Sequence, residues 1–460
     1  MLRLSPLREK SSREKLLDEV KREVRAGRSQ SLHKAVLLNL HADKPSQQFR
    51  RSWDIDLKIG SRPSVQVPQK AGIIQLFDRM GGKLVILGAV GAGKTTTLLE
   101  LAAKLVNRAE NDANLPCPVL LNLASRKDDS VAIADWIVEQ IHLKYNIPVN
   151  ISQQWLTQQQ LLPLLDGLDE IESERHENLI QSINNFIEDF QPKHLVICSS
   201  FEAYKNCETR FRLQAAILLK SLTETQIHEY LIAARSRELW YNIEREPELL
   251  KLAKTPLLLS MLTLAYEEIL IESWKRLPSA EAQRQYLLNA YIRRQMTREI
   301  NQQWYPKGKE PRPEQIRYWL VWLAKKLEAE NLTEFSVAKI PSSWLQTERQ
   351  KQMYAIGVIG IPVLILSLTG GIAGVIVGAI FDLSYGIILG IIAGCISSLF
   401  IKIPAIKNFM VRVVLCRYGY IPWNYPRFLN YASQRLLLQK LGEDRYHFIH
   451  NLLQEHFAEM

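Results

Sequence analysis

The stretch "KLVILGAVGAGKTTTLLELAAKLVNRAE", Lys83–Glu110, decides the fold. Its first six residues form an apolar run of the length of a buried strand. From Lys94 onward the apolar residues recur at helical spacing, which predicts an amphipathic helix. Between the two lies "GAVGAGKT", Gly88–Thr95, which matches G-x-x-x-x-G-K-[ST] in the strand-to-helix setting the pattern requires. The residues Gly88, Ala89, Val90, Gly91, Ala92 and Gly93 offer backbone N–H groups that wrap a phosphate, and the helix N-terminus adds partial positive charge. Lys94 is placed to reach β- and γ-phosphates, Thr95 to hold Mg²⁺, and Thr96 follows in the same turn.

Outward from this loop, strands and helices alternate. "CPVLLNL" reads as a strand, "SVAIADWIVEQIHLKY" as a helix, "LLPLLDGLDE" as a strand, "NLIQSINNFIEDF" as a helix and "HLVICSS" as a strand, with "AILLKSL" a candidate fifth strand. Such alternation implies an α/β P-loop fold, a parallel sheet with helices on both faces. The third of these strands ends in acids. An acid at its carboxyl end faces the glycine loop, where ligands bind in such sheets. Asp166 is therefore the candidate second Mg²⁺ ligand beside Thr95. Asp169 or Glu170 is placed to orient an attacking water, and helix capping is the other reading of these two acids.

After about residue 223 the reading is helical to about residue 330. "SWDIDLKIGSRPSVQVP", before the sheet, reads as an extended linker. The chain ends in a helix "FLNYASQRLLLQKL", a strand "RYHFIH" and a helix "NLLQEHFAEM". Residues 1–51 hold 13 Lys/Arg against 6 Asp/Glu, a surplus of 7, with signs alternating at helical spacing as on a solvated helix. From Lys402 to Lys440 there are 7 Lys/Arg and no acid. Nucleic acid is disfavoured as a partner, because the basic N-terminal segment lacks interleaved aromatics. Five separated cysteines without a C-x-x-C pair fit a reduced setting better than a disulfide framework or zinc site.

The sequence from Tyr354 to Phe381 runs 28 residues without a charge, and after Asp382 the next 19, Leu383–Ile401, are uncharged too. Two membrane spans of about 20 residues with a turn near "FDLSYG" are expected. Arg349 and Lys351 before the block, and Lys402, Lys407 and Arg412 after it, place both ends in the cytoplasm. Gly370, Gly374 and Gly378 share one stripe of the first span, and Gly386, Gly390 and Gly394 one stripe of the second. Small residues let helices approach closely in lipid. The stripes seat either the two spans on each other or the hairpins of neighbouring subunits.

"GAVGAGKTTT" with "LLPLLDGLDEI" resembles the NACHT domain of the STAND class of signalling NTPases. Gly167 followed by further acids is characteristic of that family. The resemblance covers about residues 70–350 and 425–460. It implies ATP/ADP with Mg²⁺ as cofactors, a helical domain, and a winged-helix-like domain interrupted here by the membrane hairpin. It also implies that Pro256, in "LAKTPLLLSMLTLAY", lies against nucleotide, and that His450, in "YHFIHNLLQEHFA", touches the β-phosphate in a closed ADP state. Where relatives carry a γ-phosphate-sensing arginine after the fourth strand, this sequence has Ser200, which implies slow hydrolysis with binding intact.

The expected domains are a helical basic segment and linker at 1–70, a P-loop core at 71–222, a helical domain at 223–312, the first part of a winged-helix-like domain at 313–350, a transmembrane hairpin at 353–401 and the remainder at 402–460. The function implied is a nucleotide-dependent switch that forms homo-oligomers and acts at the membrane in bacterial defence or stress signalling. The alternative is a membrane-anchored ATPase with continuous turnover whose hairpin is a passive anchor. The expected partners are membrane lipid, a second copy and a trigger of unknown chemistry.

Overall fold

The computed structural model describes residues 6–29, 32, 55–59, 65–67, 72–213, 215–300, 303–306, 308–380, 387–388, 403–441 and 444–460. Its larger sheet contains seven strands: β1 (Ile55–Ile59), β2 (Val65–Val67), β3 (Lys83–Gly88), β4 (Cys117–Asn122), β5 (Leu161–Asp166), β6 (Leu195–Ser200) and β7 (Ala215–Leu219). The order is β2-β1-β7-β3-β6-β5-β4, in which β3 to β7 run parallel. β3, β4, β5 and β6 are buried at nearly every position, as strands covered on both faces must be. The helices flanking them are α1 (Pro6–Ser29), α2 (Ile73–Arg79), α3 (Lys94–Asn111), α4 (Ile133–Tyr145), α5 (Val149–Thr157), α6 (Ser173–Phe190) and α7 (Phe201–Asn206).

Two expectations are corrected here. The stretch read as a linker supplies β1 and β2, which add antiparallel strands beyond β7. An extended segment beside an unpaired strand edge satisfies the backbone groups of both. The helix expected to be solvated, α1, has one face packed on the sheet unit, where the single buried charge among the described residues is Glu23. Its Leu16, Leu17, Val20 and Val24 are buried in the core of the sheet unit. Alternating charges are compatible with either reading, because they report one face of a helix and not the other.

The second unit is helical: α8 (Glu224–Ala233), α9 (Arg237–Arg245), α10 (Pro247–Ala253), α11 (Pro256–Ala265), α12 (Ile271–Lys275), α13 (Ala280–Thr297) and α14 (Pro313–Ala329). Thr223 and Gln226 close a capping box at the start of α8, and prolines stand in the first turn of α10, α11 and α14. A three-stranded antiparallel sheet follows, β8 (Glu334–Ser336), β9 (Leu438–Leu441) and β10 (Arg445–Phe448), ordered β8-β10-β9. Between β8 and β9 the chain makes α15 (Glu348–Ile380), α16 (Ile403–Arg417) and α17 (Tyr425–Gln434), and after β10 it ends in α18 (Asn451–Glu459).

"FLNYASQRLLLQKL" is not one helix. It stops at Gln434, Leu436 takes φ 57°, and Leu438–Leu441 becomes β9. The helical and C-terminal segments are joined by reciprocal capping. Arg435 Nη1 donates to the Gln295 carbonyl at the end of α13 (2.7 Å), while Arg298 Nη2 donates to the Gln434 carbonyl at the end of α17 (2.7 Å). Each guanidinium sits at the negative end of the other segment's helix.

Buried apolar side chains form two clusters. One runs from Leu16 to Leu219; the other contains Leu32 and residues from Leu222 to Ala458. α15 is 33 residues long and passes through Pro362. Its Ile356, Ile359, Val363, Leu368, Ile372 and Val375 are exposed. Among the described residues, no single helix is long and apolar enough to cross a membrane. The pair Pro247–Ala253 and Pro256–Glu268, bent by 115°, meets that standard by length and composition only, and α11 within it is a core helix. The turn and second span expected over residues 382–401 lie outside the described residues except 387–388, as do Gly386, Gly390 and Gly394 and any contacts of the glycines at 370, 374 and 378.

Candidate functional site

The glycine loop sits between β3 and α3 as its sequence requires. Gly91 takes φ 77° and Gly93 φ 92°, in the left-handed region that favours glycine. A Cβ at Gly91 would come within 3.0 Å of both Leu257 Cβ and Thr255 Cγ2, because the start of α11 lies on the loop. The Leu257 N–H donates to the Gly91 carbonyl (3.2 Å). Pro256, the first residue of α11, is thereby brought to the loop.

Lys94 is 8 % exposed. Its Nζ donates to the carbonyls of Ala89 (3.2 Å) and Gly88 (3.4 Å) and pairs with Asp169 Oδ2 (3.2 Å). The ammonium is thus held across the loop by oxygens that a phosphate would outcompete in charge. Thr95 Oγ1 donates to Asp166 Oδ2 (2.7 Å). Burial pushes the Asp166 carboxyl above its usual range, despite the Thr95 hydrogen bond. Asp169 accepts from the Ser200 N–H through Oδ1 (3.2 Å). Ser200 itself caps α7 by accepting from Ala203 N (3.0 Å), a role its short side chain fills and a guanidinium would not.

Glu170 opens to the cavity yet lies deep in the molecule. That enclosure, with Asp166 nearby, pushes its carboxyl up to about 7. The Asn122 amide donates to its Oε2 (2.8 Å). His450 precedes α18, and its Nδ1 accepts from the Leu452 N–H (3.1 Å). Burial, and then the Lys94 charge, depress its pKa to about 4. A neutral ring whose Nδ1 accepts carries its proton on Nε2 and has a donor to give.

One cavity of about 370 Å³ is lined by Val90, Gly91, Gly93, Lys94, Thr95, Thr96, Asp166, Asp169, Glu170, Pro256 and His450. The structure therefore gathers the candidate residues of both units on a single space, with Gly88, Ala89 and Ala92 completing the loop behind it. The positive-φ glycines, the buried ammonium and the Thr95–Asp166 pair fit the phosphates of a nucleotide. Sequence reading missed Asn122. Its signal was modest: an amide side chain ending the strand beside the acidic one.

Residues 83–238 match the NACHT domain family. The chain carries a NACHT domain. The match ends before Pro256 and His450, so their place beside the NACHT loop comes from the structure alone. No curated protein matches the chain. Among solved structures it is weakly similar to Cdc6p from Pyrobaculum aerophilum, at 11% identity and TM-score 0.30, covering 92% of this chain and 97% of that one. A second likeness is to the Aeropyrum pernix ORC2 protein with ADPNP and ADP, at 12% identity and TM-score 0.28, covering 84% and 90%. A third is to the Aeropyrum pernix ORC1 protein in complex with DNA, at 14% identity and TM-score 0.29, covering 60% and 72%. The NACHT domain binds nucleotide and supports NTPase chemistry in general.

Proposed function

We propose that the chain is an ATP/ADP-controlled switch whose C-terminal module closes on the nucleotide and opens when it is exchanged. One observation carries this reading: a single cavity is floored by the P-loop and roofed by His450 of the C-terminal module. A ligand that touches two units in one state and one unit in the other changes their balance by its differential affinity.

Thr95 and Asp166 would hold Mg²⁺, which takes one or two protein oxygens and otherwise phosphates and water. The ion supplies charge neutralisation across the phosphates. Lys94 would bind the phosphates, the His450 Nε2–H would be a donor to the β-phosphate of ADP, and Asp169 or Glu170 would orient water. With Ser200 in place of an arginine, no second cation meets the developing charge from that strand, so turnover is slow.

Residues 313–350 and 402–460 are read as a winged-helix-like module, with residues 353–401 as a membrane hairpin inserted in it. The exposed apolar residues of α15 and a sequence from Tyr354 to Ile401 whose one charge is Asp382 support a cytoplasmic-membrane location with the NACHT domain on the cytoplasmic side. Exchange of ADP would free the module, allow copies to assemble and reorient the hairpin, in bacterial defence or stress signalling. The test is nucleotide release and vesicle binding by the full chain. Lys94→Ala should lose nucleotide and keep vesicle flotation, while His450→Ala should speed release of a fluorescent ADP. A chain that stays out of vesicles without detergent ends the membrane half of the reading; unchanged release in His450→Ala ends the closure half.

A further inference from the structure

We infer that Asn122 is a positioning residue that ties the Glu170 carboxylate to the placement of the C-terminal module. The inference rests on the hydrolytic role proposed above for Glu170. Asn122 ends β4, the outer strand of the sheet, and is paired in register with Asp166 at the end of β5. Its amide has one orientation, because Oδ1 accepts from the Ala124 N–H (2.8 Å). Nδ2 therefore points the other way with two hydrogens to give. One goes to Glu170 Oε2 (2.8 Å) and the other to Thr333 Oγ1 (3.2 Å), 211 positions along the chain at the entrance to β8.

The turn that carries Glu170 is fitted around this amide. Gly167 has φ +80°, and a Cβ there would stand 2.5 Å from Asn122 Oδ1 and 2.9 Å from Glu170 Oε2. A second polar bond runs alongside: Asn331 Nδ2 donates to Glu172 Oε1 (2.8 Å). Both bonds cross from the sheet unit to the C-terminal unit, whose apolar cores are separate. Polar bonds at such a boundary exchange for water at small net cost. While the module is closed, Thr333 and Glu170 share the two hydrogens of the amide, the Asn451 side chain of α18 also bonds Glu170, and the carboxylate is held toward β4. When the module withdraws, Thr333 and Asn451 leave; the amide keeps its Ala124 anchor but loses its brace from the module, the carboxylate loses one donor, and Glu170 turns more freely toward the cavity. Opening thereby raises hydrolytic competence without any residue of the module touching substrate.

The experiment uses the full-length chain, with steady-state ATP turnover and release of a fluorescent ADP as readouts. Thr333→Val removes the hydroxyl at constant shape. It should raise kcat about fivefold, as expected for one hydrogen bond of about 1 kcal/mol, with KM changed less than about twofold. Thr333→Ser should restore the wild-type rate. In an Asn122→Ala background Thr333→Val should have no further effect, because the relay is already cut. An unchanged or lowered kcat in Thr333→Val overturns the inference, as does a Thr333→Val gain that persists in Asn122→Ala. Glu170→Gln separates the two readings. Retained turnover there leaves water orientation to Asp169 and overturns this inference while the switch reading stands; lost turnover with an inert Thr333→Val overturns the Thr333–Asn122 link alone.

Discussion

His450 has its protonation set by a single backbone hydrogen bond and by its surroundings. Nδ1 is taken by Leu452 N, and burial with the neighbouring Lys94 charge holds the pKa near 4. The unfolded imidazole titrates near 6.5, so between about pH 6.5 and 4 the unfolded chain binds a proton that the folded one refuses. Stability then falls as pH falls through that window. His447, also depressed to about 4 by burial, adds to the same slope. His450→Gln should flatten part of the slope and leave the His447 share, read as melting temperature against pH from 4 to 7 without nucleotide. Glu170 acts in the opposite sense: raised to about 7, it makes the folded state lose stability as pH rises from about 4.5 to 7. Glu170→Gln should remove that loss on the neutral side, and a profile unchanged there would deny the shift. Gly167 gives a test of geometry alone. With φ +80° and Asn122 Oδ1 at 2.5 Å from its would-be Cβ, Gly167→Ala should cost about 1–3 kcal/mol by urea unfolding.

At the level of elements, α1 joins both units. Its Glu23 is 6 % exposed and pairs with Lys144 Nζ (2.7 Å), and the Tyr145 hydroxyl donates to its Oε2 (3.0 Å). At its far end the Gly27 carbonyl accepts from Gln439 Nε2 of β9 (3.1 Å). Glu23→Ala leaves the Lys144 ammonium buried without its carboxylate, so it should cost on the order of 3 kcal/mol by denaturant unfolding. Glu23→Gln, which keeps a hydrogen-bond acceptor, should cost less. None of this was visible in the sequence, where "REKSSREKLLDEVKREVRAG" shows charges that suit solvent and hides Leu16, Leu17, Val20 and Val24 among them. The P-loop, the Asp166 strand and the five parallel strands were legible because each depends on local apolar runs and local turn chemistry. β1 and β2 were not, since a strand at a sheet edge is made by its neighbour β7 rather than by its own pattern. The break at Leu436 escaped for a related reason. "RLLLQKL" suits a helix locally, and only pairing with β10 turns its end into a strand. Lys94, Thr95 and Asp166 could be read from motif spacing; Asn122 could not, because its partners Glu170 and Thr333 lie 48 and 211 positions away.

Across the whole molecule, the apolar cores divide between Leu219 and Leu222, and the bonds that cross the division at the site are polar. Within the second unit, by contrast, Arg298, Arg435 and the Tyr291 hydroxyl on the Leu436 carbonyl (2.7 Å) bind helices to the C-terminal sheet. Cooperativity in unfolding follows shared apolar burial, so two cores joined by water-exchangeable bonds should melt in two steps when the cavity is empty. A nucleotide that Lys94 holds in one unit and His450 in the other would bind the closed arrangement more tightly than the open one. At about a hundred times its Kd it would stabilise that arrangement by about 2.7 kcal/mol, enough to draw the two steps together. Calorimetry of the full chain should therefore show two transitions without ADP and a narrower, later transition with it. Lys94→Ala should keep two transitions at every ADP concentration. His450→Ala should still bind ADP and shift the first transition upward, yet leave the second where it was, because the ligand no longer reaches across the boundary. A single transition without nucleotide would show that the polar boundary unfolds together with the cores it separates, and closure could then not be governed by the ligand alone.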